Sequence, residues 1–359
     1  MDFSTLQKGY KSVDAKTWKK INELLGRYAI DAELIEGSRL RVDTTAYETN
    51  VHYPTDSSLL WDTYRVLSRS IARVREYDVD AVGPGRLQDR RVKRLVLRIG
   101  RQANQTEKKR VGLKRPYQAL LGHVGHIIGW SQRVRGRCQE RLREDAYGFE
   151  VSLILDGILE EMKHYEALGM RVVDQARRRV LEGEKVPNSE KILSIFEPHT
   201  ELLKRGKAGK PVEFGHMVLL HEVEQQFISN YEVFERRPVD ASLVDGVLEQ
   251  HRQLFGKLPA ALAADKGFYE SMAKLSELET VIPNVSIAKK GSRSSSEIER
   301  EHDPIFRMLQ RFRAGIEGTI SVMKRVFKMW RCLYRSFRSY CSSVGSHVFA
   351  HNLVVLARL

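Results

Sequence analysis

The chain has 359 residues, with 60 Lys and Arg against 46 Asp and Glu and a formal charge of +14. That length supplies a sizeable core and two or three domains, and the positive excess favours a polyanionic partner, nucleic acid or an anionic membrane surface. Cys138, Cys332 and Cys341 show no C-x-x-C spacing, the N-terminus carries no signal pattern, and no apolar run approaches the roughly 20 residues of a membrane span. A disulfide scaffold, a zinc site and an integral membrane protein are thereby disfavoured, and a cytoplasmic, nucleoid-associated protein is expected.

A helical pattern covers residues 4–30, opened by Ser4 and Gln7 in a capping-box spacing. From Leu40 the pattern changes to alternation. Leu40, Val42, Thr44 and Ala46 face one way and Arg41, Asp43, Thr45 and Tyr47 the other, which predicts a strand carrying Asp43. Tyr53-Pro-Thr-Asp56 ends it, with Asp56 or Ser57 as cap of the next helix.

Residues 58–185 read as helix almost throughout. Within them Arg86, Arg90, Arg91, Lys93, Arg94, Arg98, Arg101, Lys108, Lys109, Arg110, Lys114 and Arg115 face only Asp89 and Glu107. So dense a run of one sign repels itself unless an anion neutralises it. Contact with DNA phosphates through Arg90, Arg91, Lys93 and Arg94 is expected, against the alternative of a solvated helix face.

Strands are predicted at 192–196, 212–223 and 227–234, the last two joined by a hairpin turn at 224–226. A helix follows at 240–254, a strand at 260–264 running into Asp265, and a strand at 281–289. Residues 291–296, Gly-Ser-Arg-Ser-Ser-Ser, read as a flexible loop. The order of elements is α/β.

The final helical stretch opens with Asp303 as N-cap and Pro304 at the first position. At about 100° per residue, Glu317 and Lys324 lie within roughly 40° of Arg313, so a carboxylate stands between two cations on one face. Ile316, Ile320, Met323, Val326, Phe327 and Trp330 form the adjoining apolar stripe. Gly315 and Gly318 flank the glutamate, each costing about 1 kcal/mol in a helix interior, so a bulky group is expected to approach there. Spacing alone also admits an ordinary amphipathic helix with a solvated Arg/Glu/Lys face.

The segment Arg311-Phe-Arg-Ala-Gly-Ile-Glu317, continuing to Lys324, resembles the C-terminal catalytic motif of bacterial insertion-sequence DDE transposases, in the branch with a Tyr-Arg-Glu-Lys signature. Gln310 stands where the signature Tyr would be, so that residue's role is not carried over. The block Leu40-Arg-Val-Asp43-Thr-Thr-Ala-Tyr-Glu-Thr-Asn resembles the one bearing the family's first catalytic Asp, and Ala263-Ala-Asp265-Lys-Gly-Phe-Tyr269 the one bearing its second. Weaker matches lie at 194–200, 213–215 and 351–353.

The resemblance implies a ribonuclease-H-like core interrupted after its first strand by a large all-helical insertion. An N-terminal helical segment would span 1–33, the catalytic domain 34–57 with 190–359, and the basic insertion 58–189. Asp43, Asp265 and Glu317 would be catalytic and would hold two Mg²⁺ or Mn²⁺ ions. Arg313 and Lys324 would bind DNA phosphate. The implied activity is cleavage at transposon ends and strand transfer into target DNA, by a homodimer or larger assembly on double-stranded DNA. A DNA-binding relic without catalysis and a metal-dependent nuclease without strand transfer are the alternatives.

Other residues invite comparison with that set. Asp56, Glu48 and Asp240 read as helix caps or surface carboxylates. The pairs His123 with His126 and His347 with His351 have helical spacing for a metal but no third ligand nearby, and read as packed or solvated. Phe327 and Trp330 read as core. The first catalytic Asp comes as early as position 43, so an N-terminally short copy with little preference for its own ends is expected.

Overall fold

Strand β1 (Arg39–Glu48) is the axis of a sheet that draws on both ends of the chain. The computed structural model describes residues 5, 9, 12–103, 111–207 and 210–359. Two compact units are present, one of Met1–Asn50 with Glu201–Leu359 and one of Val51–Thr200.

The first unit is α/β with a mixed sheet. β2 (Glu201–Lys207), β3 (Lys210–Glu222) and β4 (Ile228–Val233) are antiparallel, and β3 pairs with β1 so that Asp43 stands opposite Leu220. β5 (Ala261–Ala264) and β6 (Asn284–Ile287) extend the sheet in parallel, in the order β2-β3-β1-β5-β6. β5 is buried along its whole length, which is why three alanines and a leucine suffice there against their helical propensity.

Helix α1 (Ala15–Asp31) starts at its cap Asp14, whose side chain accepts from Thr17 N at 2.8 Å. Ser4 and Gln7 lie outside the described residues. The strand expected at 192–196 is absent, and β2 begins only at Glu201. The Gln175 amide accepts from Ile192 N and donates to Ile192 O, while Ser194 Oγ accepts from Phe196 N and Glu197 N. Side chains thus take the backbone groups that a ladder would need.

The second unit is helical: α2 (Asp56–Tyr77), α3 (Val79–Val82), α4 (Asp89–Ala103), α5 (Lys114–Arg143) and α6 (Phe149–Ala176). Leu60, Leu67, Ile71, Leu120, Ile127, Leu155 and Met162 centre its core. The cap of α2 is Thr55, in a capping box with Ser58, rather than Asp56 or Ser57. Asp56 is instead a buried carboxyl group, with both oxygens 2.9 Å from Arg179 Nη1 and one 3.1 Å from the Gln175 amide. Among the described residues no helix is long and apolar enough to cross a membrane.

Back in the first unit come α7 (Val244–Phe255), α8 (Met272–Val281), α9 (Ser295–His302), α10 (Pro304–Arg325) and α11 (Phe337–Leu356). Of the stretch expected as a loop at 291–296, Ser295 and Ser296 are already the first residues of α9. Ser294 caps α9 in a box with Glu297, so the serines there start a helix rather than keep the chain loose. The α10 start follows the sequence: Asp303 Oδ1 accepts from Ile305 N and Phe306 N, and Pro304 follows it.

Candidate active site

Parallel register brings the two aspartates together. Val42 on β1 pairs with Ala264 on β5, so Asp43 and Asp265 are the next residues along neighbouring strands. One oxygen of each is fixed by backbone. Asp43 Oδ1 accepts from Thr44 N at 2.7 Å, and Asp265 Oδ1 accepts from Gly267 N at 2.6 Å. The other oxygen of each is on the side of Arg313.

Helix α10 packs across β1, β5 and β6 and delivers Arg313 to those oxygens. Arg313 Nη2 lies 3.4 Å from Asp43 Oδ2 and 3.9 Å from Asp265 Oδ2, and Nη1 donates to Glu317 Oε1 at 3.0 Å. One guanidinium therefore gathers three carboxylates from three elements that are distant in sequence. Asp43 is largely buried, Asp265 less so, and Glu317 is 64% exposed on the outer turn of the helix. Lys324, half-buried, follows Glu317 two turns on along the same face.

The donor set suits a hard divalent cation, being carboxylate oxygen throughout with no thiol or imidazole. As the side chains stand, no three Asp, Glu, His or Cys among the described residues are close enough to hold an ion together. At this site the cationic place between the carboxylates is held by Arg313.

Several contributors were not visible as such in the sequence. Arg41, on the same strand face as Asp43, is buried. Its Nε donates to Glu222 Oε1 at 2.9 Å, its Nη1 to Phe312 O, and its guanidinium stacks on the Phe312 ring at 4.5 Å. A Cβ on Gly315 would lie 2.2 Å from Arg41 Nη1, so the bulky group expected beside the glycines is this arginine. Gly318 has nothing within 4 Å and is not explained by approach. Burial holds the Glu222 carboxyl above its ordinary range against the opposing pull of Arg41.

Gln310, one turn ahead of Arg313, donates to Ser286 O at 2.9 Å and to Ala264 O at 3.4 Å. Its amide ties the ends of β5 and β6 immediately before Asp265. Asp240, expected to be a cap or surface residue, comes beside the same turn, with Oδ2 3.1 Å from where a Cβ of Gly267 would stand. Its position follows from packing between the 3₁₀ turns Asp240–Leu243 and Lys266–Phe268, which have no common sequence pattern.

Glu48 is a correction. It is buried at the end of β1, 3.8 Å from Arg331, where the chain after α10 returns to bridge the strand. Trp330 and Val326 are a second correction, at 49% and 64% exposure, because α10 ends at Arg325 and the stripe ends with it. Phe327 packs partly against the core. His351 Nε2 meets Gln226 O at 2.9 Å and His347 bonds within its own helix, so both are packed residues.

In the second unit, Arg90, Arg91, Lys93 and Arg94 are all exposed on α4, opposite the buried Val92 and Ile99. Arg91, Arg94 and Arg98 line a groove of about 290 Å³ with Leu95, Ala119 and His123. Burial and the neighbouring Arg91 hold the His123 imidazole below its usual range. Among the described residues none of Arg90, Arg91, Lys93, Arg94 and Arg98 forms an ion pair. Lys108, Lys109, Arg110 and Glu107 lie outside the described residues.

No protein-family model, curated protein or solved structure matches this chain.

Proposed function

We propose that the chain is a DDE-type DNA transposase, with a ribonuclease-H-like core in the first unit and a helical, DNA-contacting insertion in the second. The observation that carries this reading is the convergence of Asp43, Asp265 and Glu317, each from its own motif block, on a single cationic position. Together those residues would hold two Mg²⁺ or Mn²⁺ ions. Bound there, the ions would supply charge stabilisation on the attacking and leaving oxygens of a phosphodiester.

The chain's own residues do the rest. Thr44 N and Gly267 N each hold one aspartate oxygen and leave the second on the side of Arg313, where the ions would be bound. Glu317, the most exposed of the three carboxylates, is placed to meet an incoming duplex. Arg313 and Lys324 hold the scissile strand by its phosphates, the arginine as a two-pronged donor and the lysine as a point charge. The basic face of α4 neutralises further phosphates without reading sequence.

A relic that binds DNA without cutting it is favoured by one feature, Arg313 standing in the cation position. Incubation with pre-nicked transposon-end DNA, a plasmid target and Mg²⁺ or Mn²⁺ separates the readings. Joining supports the transposase, cutting alone a nuclease, and binding alone the relic.

A further inference from the structure

We propose that Arg313 is a built-in counter-cation of the carboxylate cluster, and that its guanidinium leaves the carboxylates for a DNA phosphate as the cluster takes up divalent ions. This rests on the preceding reading of Asp43, Asp265 and Glu317 as ion ligands.

Three features carry it. The guanidinium touches all three carboxylates at 3.0–3.9 Å, so one positive charge is shared among three acidic groups. A divalent cation in the same place would bring twice that charge to them. The contacts to both aspartates are loose, longer than the 2.7–2.9 Å of a good charge-assisted bond. Arg313 Nε is buried and has no hydrogen-bond partner among the described residues, so this resting place does not satisfy the whole side chain. An arginine cannot leave by losing its proton, so it departs as a cation, and an anion that receives it favours the exchange. A phosphate diester offers two non-bridging oxygens that the guanidinium can bond as a pair.

The consequence is reciprocal coupling. Duplex DNA raises the affinity for divalent ions, and those ions raise the affinity for DNA by the same factor. A chain without DNA is held in a form that binds ions weakly.

The test titrates Mn²⁺ into the full chain and reads free Mn²⁺ by electron paramagnetic resonance, with and without a short duplex. The duplex alone serves as blank. Arg313→Gln should bind Mn²⁺ at least about tenfold more tightly than wild type in the absence of DNA, and addition of Glu317→Gln should reverse the gain. Arg313→Lys, which keeps the charge, should stay near wild type. If Arg313→Gln does not fold, the wild-type chain still carries the test, since the duplex must raise its Mn²⁺ affinity. Unchanged or weaker Mn²⁺ binding by Arg313→Gln, with Asp43→Asn abolishing it, overturns the counter-cation and leaves the ion site standing. Mn²⁺ binding indifferent to both Asp43→Asn and Glu317→Gln overturns the ion site itself.

Discussion

Two glycines three residues apart on α10 should respond in opposite directions to the same substitution. An alanine in a helix interior is worth about 1 kcal/mol over glycine. At Gly318, where a Cβ meets nothing within 4 Å, Gly318→Ala should deliver that gain. At Gly315 the new Cβ would lie 2.2 Å from Arg41 Nη1 and 2.9 Å from its Cζ. An arginine tip ordinarily swings aside, but this one is pinned by Glu222, by Phe312 O and by the Phe312 ring. Displacing it leaves Glu222 buried without its partner, and breaking a buried ion pair costs about 3–5 kcal/mol. Set against the helix gain, Gly315→Ala should destabilise the chain by about 2–4 kcal/mol. Urea unfolding of both variants beside wild type measures the difference. If Gly315→Ala is as stable as Gly318→Ala, Arg41 is not pinned and the packing of α10 on β1 is misjudged.

Acid should weaken the first unit through two buried histidines. Burial, with Lys19 and His251 nearby, lowers His221 to about 3, and burial lowers His251 to about 4 against the weaker pull of the Gly37 backbone. The unfolded chain takes up these protons near pH 6.5 and the folded chain does not, so stability is full above about pH 7 and falls as pH drops. Each histidine should cost about 2 kcal/mol between pH 7.5 and 5, and His221→Leu should lose correspondingly less over that interval. Equal losses in variant and wild type, measured by urea midpoints, would remove the histidines from the account. On α4, replacing Arg90, Arg91, Lys93 and Arg94 together with Ala should flatten the salt dependence of binding to any duplex. Each lost phosphate contact takes about 0.9 from the slope of log K against log salt, and an unchanged slope returns the helix to a solvated face.

Much of this architecture is legible in local pattern, for physical reasons. Asp43 sits on a strand because alternation over 40–47 matches a pleat with a different neighbour on each face. The start of α10 is visible because Asp303 and Pro304 act through their own backbone. The alternation of strands and helices from β4 onward shows for the same reason. What local pattern does not carry is partnership across distance. The apolar run at 192–196 has strand composition, but its backbone bonds go to Gln175, in a helix whose arrival the run itself does not announce. Asp56 has the composition of a cap and the surroundings of a buried ion pair, because Arg179 reaches it from 123 residues away. Trp330 completes a helical stripe that stops at Arg325. Nothing in their spacing brings 43, 265 and 317 together, so the three carboxylates could be grouped in the sequence only through the resemblance of their separate blocks to a family's motifs. The places of Arg313 and Arg41 among them are properties of the packed sheet and helix.

Metal-dependent nicking by Glu317→Gln tests the central claim most directly. The substitution keeps the size of the side chain and removes the charge that meets Arg313 at 3.0 Å. Glu317 is exposed, so the fold and the binding of duplex DNA should be retained. Incubated with end DNA and Mg²⁺ or Mn²⁺, wild type should nick and the variant should not, and Asp43→Asn and Asp265→Asn should behave alike. Nicking by Glu317→Gln at the wild-type rate would contradict the assignment of these carboxylates to catalysis.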